Sequence, residues 1–339
     1  MIREVIEKGP EDPMEVVFRI TLFNLFTKIE TWELLKKKLG PLTWARYTRE
    51  SYGKVLTAAK NAGRTLYTGA FQKPAPSFDY AEAHMNHLCL LEILMENDLA
   101  GRLLNAEFMA DVYEYLISFP SMGEFSTYQL ILGLSYSKLL NFSDLDFVIP
   151  GPGAISGLQK MFGAQKMIAA KARMPTIEDG IIRWLAEHQD QEFERLGIEF
   201  SGLGPDHLPI GLADIEHLLC EVDKYSRIKH PQFKGKRTEI RRVFHPAKGI
   251  YPRKPILPKA WIHPARNIVR IRPGGPPVVE KRYEIKKIGD HRKVRDRLEF
   301  KVYWRGYPDS DATWEPKCSL AADVPIILKE YMDKYYPED

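Results

Sequence analysis

Apolar residues recur at helical spacing through the first two thirds of the chain and alternate with polar ones only near its C-terminal part. Met14, Val17, Phe18, Ile20, Leu22, Phe23, Phe26, Ile29, Trp32, Leu35 and Leu39 predict one long helix over 14–39, ended by Gly40-Pro41. Further helices are predicted over 49–61, 80–97, 106–118, 125–134, 153–162, 176–189 and 212–228, with Gly or Pro at most boundaries. No strand pattern stands out among them, so residues 1–230 read as one mostly α domain. Over 297–304 the period becomes two: Leu298, Phe300, Val302 and Trp304 alternate with Glu299, Lys301 and Tyr303, as in a half-buried strand. Shorter strands are predicted over 283–288 and 312–315, with turn chemistry at Gly306-Tyr307-Pro308-Asp309. A helix should follow, with Asp323 as N-cap, Pro325 in its first turn, and Ile326, Ile327, Leu328, Tyr331 and Tyr335 as its apolar face. Residues 279–339 therefore read as a small α+β domain, a three-stranded curled sheet with a C-terminal helix.

Between these parts, residues 231–278 read as a proline-rich basic linker. Charge divides the chain sharply. Residues 224–273 hold 15 Lys and Arg against one acid, Glu239, whereas residues 1–223 carry a net charge of −10. Lys236, Arg237, Arg241 and Arg242, interleaved with Phe244, Tyr251 and Trp261, suit sequence-independent contact with a phosphate backbone. The alternative is a solvated linker that docks on the acidic helical body. No apolar run is long enough to span a bilayer, so no membrane partner is expected. The first residues are acidic and polar, unlike a secretory signal. Three cysteines without pairing or zinc spacing (Cys89, Cys220, Cys318) suit a reducing nuclear or cytosolic compartment. His84, His87 and Cys89 share a helix, but no second cluster completes a metal site, so no metal is assigned. No cofactor is implied.

Two stretches of the helical part carry candidate chemistry. FPSMGEFSTYQLILG (119–133) has the shape of a helix-hairpin-helix, whose turn at Gly123 would offer backbone N–H groups to a DNA phosphate. NFSDLDFVIPGPGAISGL (141–158) sets Asp146 before Gly151-Pro152-Gly153, a carboxylate beside an anion-binding helix end. On the 212–228 helix, Glu216 and Asp223 are seven apart and share a face. They are either an acid-rich pocket wall or parts of ion pairs to neighbouring helices. Arg19, Asn24, Glu30 and Tyr67 are further candidates to line the same cavity.

The stretches 23–35, 66–71, 121–136, 143–162 and 213–227 resemble the helical domain associated with 5-hydroxymethyluracil DNA kinases, the thymine-hypermodification proteins of phages. That domain is thought to derive from helix-hairpin-helix DNA glycosylases. The resemblance implies that Asp146 is the glycosylase-type acid, acting on a flipped base with Glu216 and Asp223 in the pocket. Gly133, Glu124-Phe125-Ser126 and His217 depart from that family's pattern. No G-x-x-x-x-G-K-[ST] motif occurs, so a kinase of P-loop type is rejected.

The C-terminal stretch YEIKKI, then KVYWRGY, then TWEP resembles a chromodomain, the histone methyl-lysine reader. The resemblance implies an aromatic cage of Tyr283, Trp304 and Tyr307, with Asp311 as the acid beside it. A quaternary ammonium cannot donate hydrogen bonds, so its site needs π faces. Glu315 and Ser319 fall where the family contacts the peptide, and Trp314 where it has a core residue. Lys286 stands where an acid is usual, and Ser319 where asparagine is common.

These readings predict a nuclear chromatin protein. Its partners would be a methylated histone H3 tail, DNA and a larger chromatin complex. The helical domain either acts on modified thymine or uracil through Asp146, or serves as a non-catalytic adaptor. A domesticated mobile-element domain is a third reading. The charge of −10 favours the adaptor, because an enzyme that embraces DNA usually carries its own basic surface. The pairing of Asp146 with the Gly-Pro-Gly turn favours the enzyme.

Overall fold

Residues 13–39 form two helices where the apolar spacing predicts one: α1 (Pro13–Phe26) and α2 (Ile29–Leu39). The break is at Thr27, whose backbone is left-handed (φ 52°) and whose N–H closes α1 on the Phe23 carbonyl. The apolar period runs through the break because both helices face one core, with the Phe23 and Trp32 rings 6.1 Å apart edge to face. The Asp12 carboxylate caps the start of α1, accepting from the Met14 and Glu15 N–H groups. The chain is seen here as a computed structural model that describes residues 1–69, 71, 73–78, 80–233, 256–273, 283–294 and 297–335.

The helical domain continues with α3 (Arg49–Asn61), α4 (Ala83–Glu96), α5 (Leu99–Leu104), α6 (Met109–Ile117) and α7 (Glu124–Ser135). It ends with α8 (Pro152–Phe162), α9 (Ala164–Arg173), α10 (Ile177–Glu187), α11 (Gln189–Leu196) and α12 (Leu212–Lys229). The sequence reading misses α5, α9 and α11. They are short: α5 has six residues, too few to set up a helical period, and Ile168 and Leu196 lie exposed on α9 and α11. Helix α1 is the centre of the first core and is buried along nearly its whole length. A second core joins α8, α10 and α12 through Leu158, Ile182 and Leu219. There the α8 backbone lies directly against α12: a Cβ on Gly153 would lie 2.4 Å from the Cys220 Sγ, and one on Gly157 2.3 Å from the Leu219 carbonyl oxygen. The structure thus gives Gly153, expected at a DNA phosphate, a part in helix packing.

Residues 256–273 of the basic linker lie on the helical domain. Arg266 is buried and donates to the Ser135 and Leu140 carbonyls while pairing with Asp144 at 3.3 Å. Arg272 pairs with Glu114 at 2.6 Å and Asp111 at 3.1 Å, and Trp261 packs edge-on against Tyr136. Docking on the acidic body, the alternative to DNA contact, is what this part does. Lys236, Arg237, Arg241 and Arg242 fall outside the described residues.

The C-terminal domain is an antiparallel sheet in the order β1-β2-β3, with β1 (Ile285–Val294), β2 (Arg297–Trp304) and β3 (Thr313–Pro316). Two helices follow, α13 (Lys317–Asp323) and α14 (Pro325–Tyr335). Ile288, Phe300 and Val302 bury against Leu320, Leu328 and Tyr331. Three local expectations change. Asp323 ends α13 and Val324 precedes Pro325, so Asp323 is not the N-cap of α14. Ile326 is 73% exposed and Tyr335 54%, because only Leu328 and Tyr331 lie fully on the side of α14 that meets the sheet. Trp314 pairs across from Lys301, on the outer face, where Arg292 stacks 4.2 Å from its ring. It is not a core residue.

Candidate functional site

The segment just before β1, the end of β2 and the turn after β2 bring three rings together. The Tyr283 ring centroid lies 5.4 Å from that of Trp304 and 5.3 Å from that of Tyr307, with each pair inclined by 54°. Inclined rings present π faces to a shared space instead of stacking on one another. Trp304 is held in orientation from behind: its indole N–H donates to Thr313 Oγ1 at 3.0 Å, and that hydroxyl donates to Glu315 Oε1 at 2.6 Å. Glu315, expected at the peptide backbone, thus also positions a cage ring. Asp311 closes a short turn (Asp309–Asp311) beside Tyr307. Burial, then Tyr283, then Asp311 push the Tyr307 hydroxyl pKa up. Lys286 is 3.6 Å from Asp309, and Ser319 is exposed on α13.

The helical domain grips the turn that carries Tyr307. The Gly306 carbonyl accepts from the Ser77 N–H at 3.0 Å and from Ser121 Oγ at 3.4 Å. Gly306 is left-handed (φ 83°), and a Cβ there would meet Pro120 at 2.3 Å, so both conformation and contact demand glycine. Tyr307 also forms one wall of a cleft of about 410 Å³ lined by Ser121, Gly123, Glu124, Phe125, Tyr128, Gly151 and Glu216, among others. The residues that precede α7 and α8, Gly123 and Gly151, both open on it. The Gly151 N–H donates to Glu216 Oε1 at 2.9 Å, so the expected anion site at α8 already holds a carboxylate of the chain. Glu216 is 6% exposed; burial raises its pKa, and the Gly151 N–H and His217 oppose that shift. Tyr128 is 3% exposed, and its hydroxyl has no hydrogen-bond partner among the described residues.

Of the three carboxylates expected to act together, only Glu216 lines the cleft. Asp146 accepts from the Ser143 N–H at 3.0 Å and the Arg270 N–H at 2.5 Å, so the docked linker covers it. Burial raises its pKa against those two bonds. Asp223 is fully buried and accepts from Ser156 Oγ at 2.7 Å, pairs with Lys160 at 2.9 Å, and takes Arg227 as a third partner. On that helix Asp223 thus sits among ion pairs, whereas Glu216 stands in the cleft wall.

The remaining candidates also have local partners. Arg19 donates to the Val5 and Pro10 carbonyls, both at 2.9 Å, tying down the N-terminal segment. Asn24 donates to the Gln129 carbonyl at 3.1 Å, and Glu30 is exposed. Tyr67 and His87 Nδ1 are 2.8 Å apart, as are Thr57 and His84 Nε2. His87 is 2% exposed, and burial drives its pKa from 6.5 down to about 4. The fold therefore favours neutral imidazole. The stability this confers is complete above the unfolded pKa and is lost as pH falls from there toward the folded pKa, by about 3 kcal/mol. Urea midpoints at neutral and acid pH should show that loss in the native chain and a smaller one in His87→Gln.

Residues 1–235 match the family described as the 5-hmdU DNA kinase, helical domain, and residues 283–334 match the chromo (chromatin organisation modifier) domain. Over 52 residues the chain is 35% identical to Heterochromatin protein 1 of Drosophila melanogaster, covering 15% of this chain and 24% of that protein. Over 55 residues it is 44% identical to the probable chromo domain-containing protein LHP1 of Oryza sativa subsp. japonica, covering 16% of this chain and 13% of that protein. Over 49 residues it is 37% identical to the histone-lysine N-methyltransferase SUV39H2 of Homo sapiens, covering 14% and 12%. The chain thus spans less than a quarter of the length of these relatives. No solved structure matches it. Tyr283, Trp304 and Tyr307 all fall inside the chromodomain match, and the cleft lies mainly in the helical match. The chain belongs to the 5-hmdU DNA kinase helical-domain family and carries a chromodomain after it.

Proposed function

We propose that the protein is a nuclear chromatin adaptor that reads methylated lysine on a histone H3 tail, with the helical domain as the non-catalytic partner of the reader. The observation that carries this reading is the cage of three rings in which Tyr283 lies inclined 5.4 Å from Trp304 and 5.3 Å from Tyr307, with Trp304 oriented through Thr313 and Glu315. Such a pocket suits a cation that cannot donate hydrogen bonds, each face contributing roughly 0.5–2 kcal/mol. Asp311 adds a negative charge at the rim. The adaptor reading gains support from the environments of Asp146 and Asp223, whose oxygens are engaged by the linker backbone and by the buried Lys160 with Arg227. Base chemistry on modified thymine through Asp146 would require the linker to leave. DNA contact is assigned to the basic residues Lys236, Arg237, Arg241 and Arg242, in a larger chromatin complex.

Calorimetric titration of the full chain with histone H3 peptides tests the reading. A trimethyl-lysine peptide should bind at least about tenfold more tightly than its unmodified counterpart. Equal affinity for the two would remove the methyl-lysine reading.

A further inference from the structure

Tyr307 belongs to two concavities at once: its ring is a face of the cage, and it is also a wall of the cleft of about 410 Å³. A peptide whose methylated lysine enters the cage therefore has its neighbouring residues beside that cleft. The turn that carries Tyr307 is bonded to Ser77 and Ser121 of the helical domain, so the two concavities are held in one frame. The charged residues among the described lining are both acidic, Glu124 and Glu216. One of them is buried and held by a backbone N–H, with the carboxylate already desolvated. Nearby, the hydroxyl of Tyr128 is buried in the cleft wall without a partner among the described residues.

We propose that this cleft is the second half of the reader site. It takes the residue next to the methylated lysine in the same peptide, and it selects a cationic side chain there through Glu216 and Glu124. The assignment rests on the cage being a methyl-lysine site. A guanidinium or ammonium entering the cleft supplies donors to the Glu216 oxygens and to the Tyr128 oxygen, which can accept as well as donate. It also relieves the cost of holding a carboxylate away from water, the same cost that raises the Glu216 pKa. A nucleic acid meets the opposite field, since its phosphates would approach two carboxylates on a body of net charge −10. Arginine suits the site better than lysine because its planar fork can meet Glu216 in two-point fashion.

The test uses the full chain and three peptides of equal length. One pairs arginine with an adjacent trimethyl-lysine, the second replaces that arginine by neutral, isosteric citrulline, and the third keeps arginine with unmodified lysine. Citrulline should weaken binding to the native protein by about tenfold, as expected for losing a charge-assisted hydrogen bond. In Glu216→Gln the citrulline penalty should shrink to about twofold or less, the signature of direct coupling. Gln keeps an acceptor for the Gly151 N–H, and exposed Glu124→Gln gives a second variant that leaves the packing alone. A citrulline penalty that is absent, or equal in native protein and both variants, overturns the proposal. So does displacement of the peptide from the cleft by a thymine oligonucleotide with no sensitivity to citrulline. Loss of discrimination between the first and third peptides defeats the cage reading itself, and the cleft assignment falls with it.

Discussion

Trp304→Ala should reduce binding of a trimethyl-lysine peptide by the full chain about 30-fold to 1,000-fold, the 2–4 kcal/mol of a buried aromatic anchor. Trp304 offers the largest π face of the three, and its ring is fixed by the hydrogen bond to Thr313 at 3.0 Å. Tyr283 and Tyr307 remain 5.3 Å from each other without it, so the site stays formed but loses a wall. Trp304 packs against the edge of the chromodomain core and is not one of its buried residues, which centre on Phe300 and Val302, so the folded state should persist. Trp304→Phe separates the two contributions: it keeps a face and loses the indole N–H, and should cost less than the alanine variant. Calorimetric affinities, with circular dichroism as a check on folding, read the result. If Trp304→Ala binds the methylated peptide as tightly as the native chain, the cage is not where that peptide binds.

Asp223→Ala should destabilise the helical domain by about 3–5 kcal/mol, because it takes from the buried Lys160 ammonium the carboxylate it pairs with. Lys160 is 2.9 Å from this carboxylate and nearly fully buried, and Arg227 and Ser156 also donate to it. The pH dependence has a definite sign. Burial alone would raise the Asp223 pKa, but the hydrogen bonds from Arg227, Ser156 and Lys160 together outweigh it and hold the carboxyl below its ordinary value. A depressed carboxyl stabilises the fold above its unfolded pKa, and that stability disappears as pH falls through the folded pKa. Denaturant midpoints of native and variant protein should therefore differ most near neutral pH and converge in strong acid. A variant as stable as the native chain at neutral pH would mean that the buried triad does not hold α8 to α12. That would reopen a functional role for Asp223.

The two domains differ in how much of them is readable along the chain. In the chromodomain the cage residues lie within 25 positions of one another, Tyr283 to Tyr307. A period-two strand, a Gly-containing turn and a short third strand bring them together through local pairing, such as Ile288 with Val302. The helical domain shows its longer helices with similar clarity, since Arg49–Asn61 and Leu212–Lys229 carry full apolar stripes and clear ends. Its candidate site is less legible. The same residue types, an acid before a Gly-Pro-Gly turn and two acids on one helix face, serve either catalysis or packing. The sequence pattern does not distinguish the two, because for each acid one of the deciding partners lies far away in the chain. Asp146 meets the backbone of Arg270 at a separation of 124 residues, and Asp223 meets Ser156 at 67.

What the sequence by itself determined is the class of each part: a helical body with an acidic surface, a basic proline-rich connection, and a small sheet with an aromatic triad. These follow from periodicity, turn chemistry and charge, which act over a few residues. Only the tertiary structure decided the fate of the carboxylates and the place of the reader. It laid residues 256–273 over Asp146, closed Asp223 within a buried ion cluster, and left Glu216 open to a cleft. It also set Gly306 against Pro120 and Ser121, a contact 185 residues apart in sequence, which makes Tyr307 common to both domains. Contacts of that range depend on how whole helices and sheets pack, and no local pattern of residues encodes them.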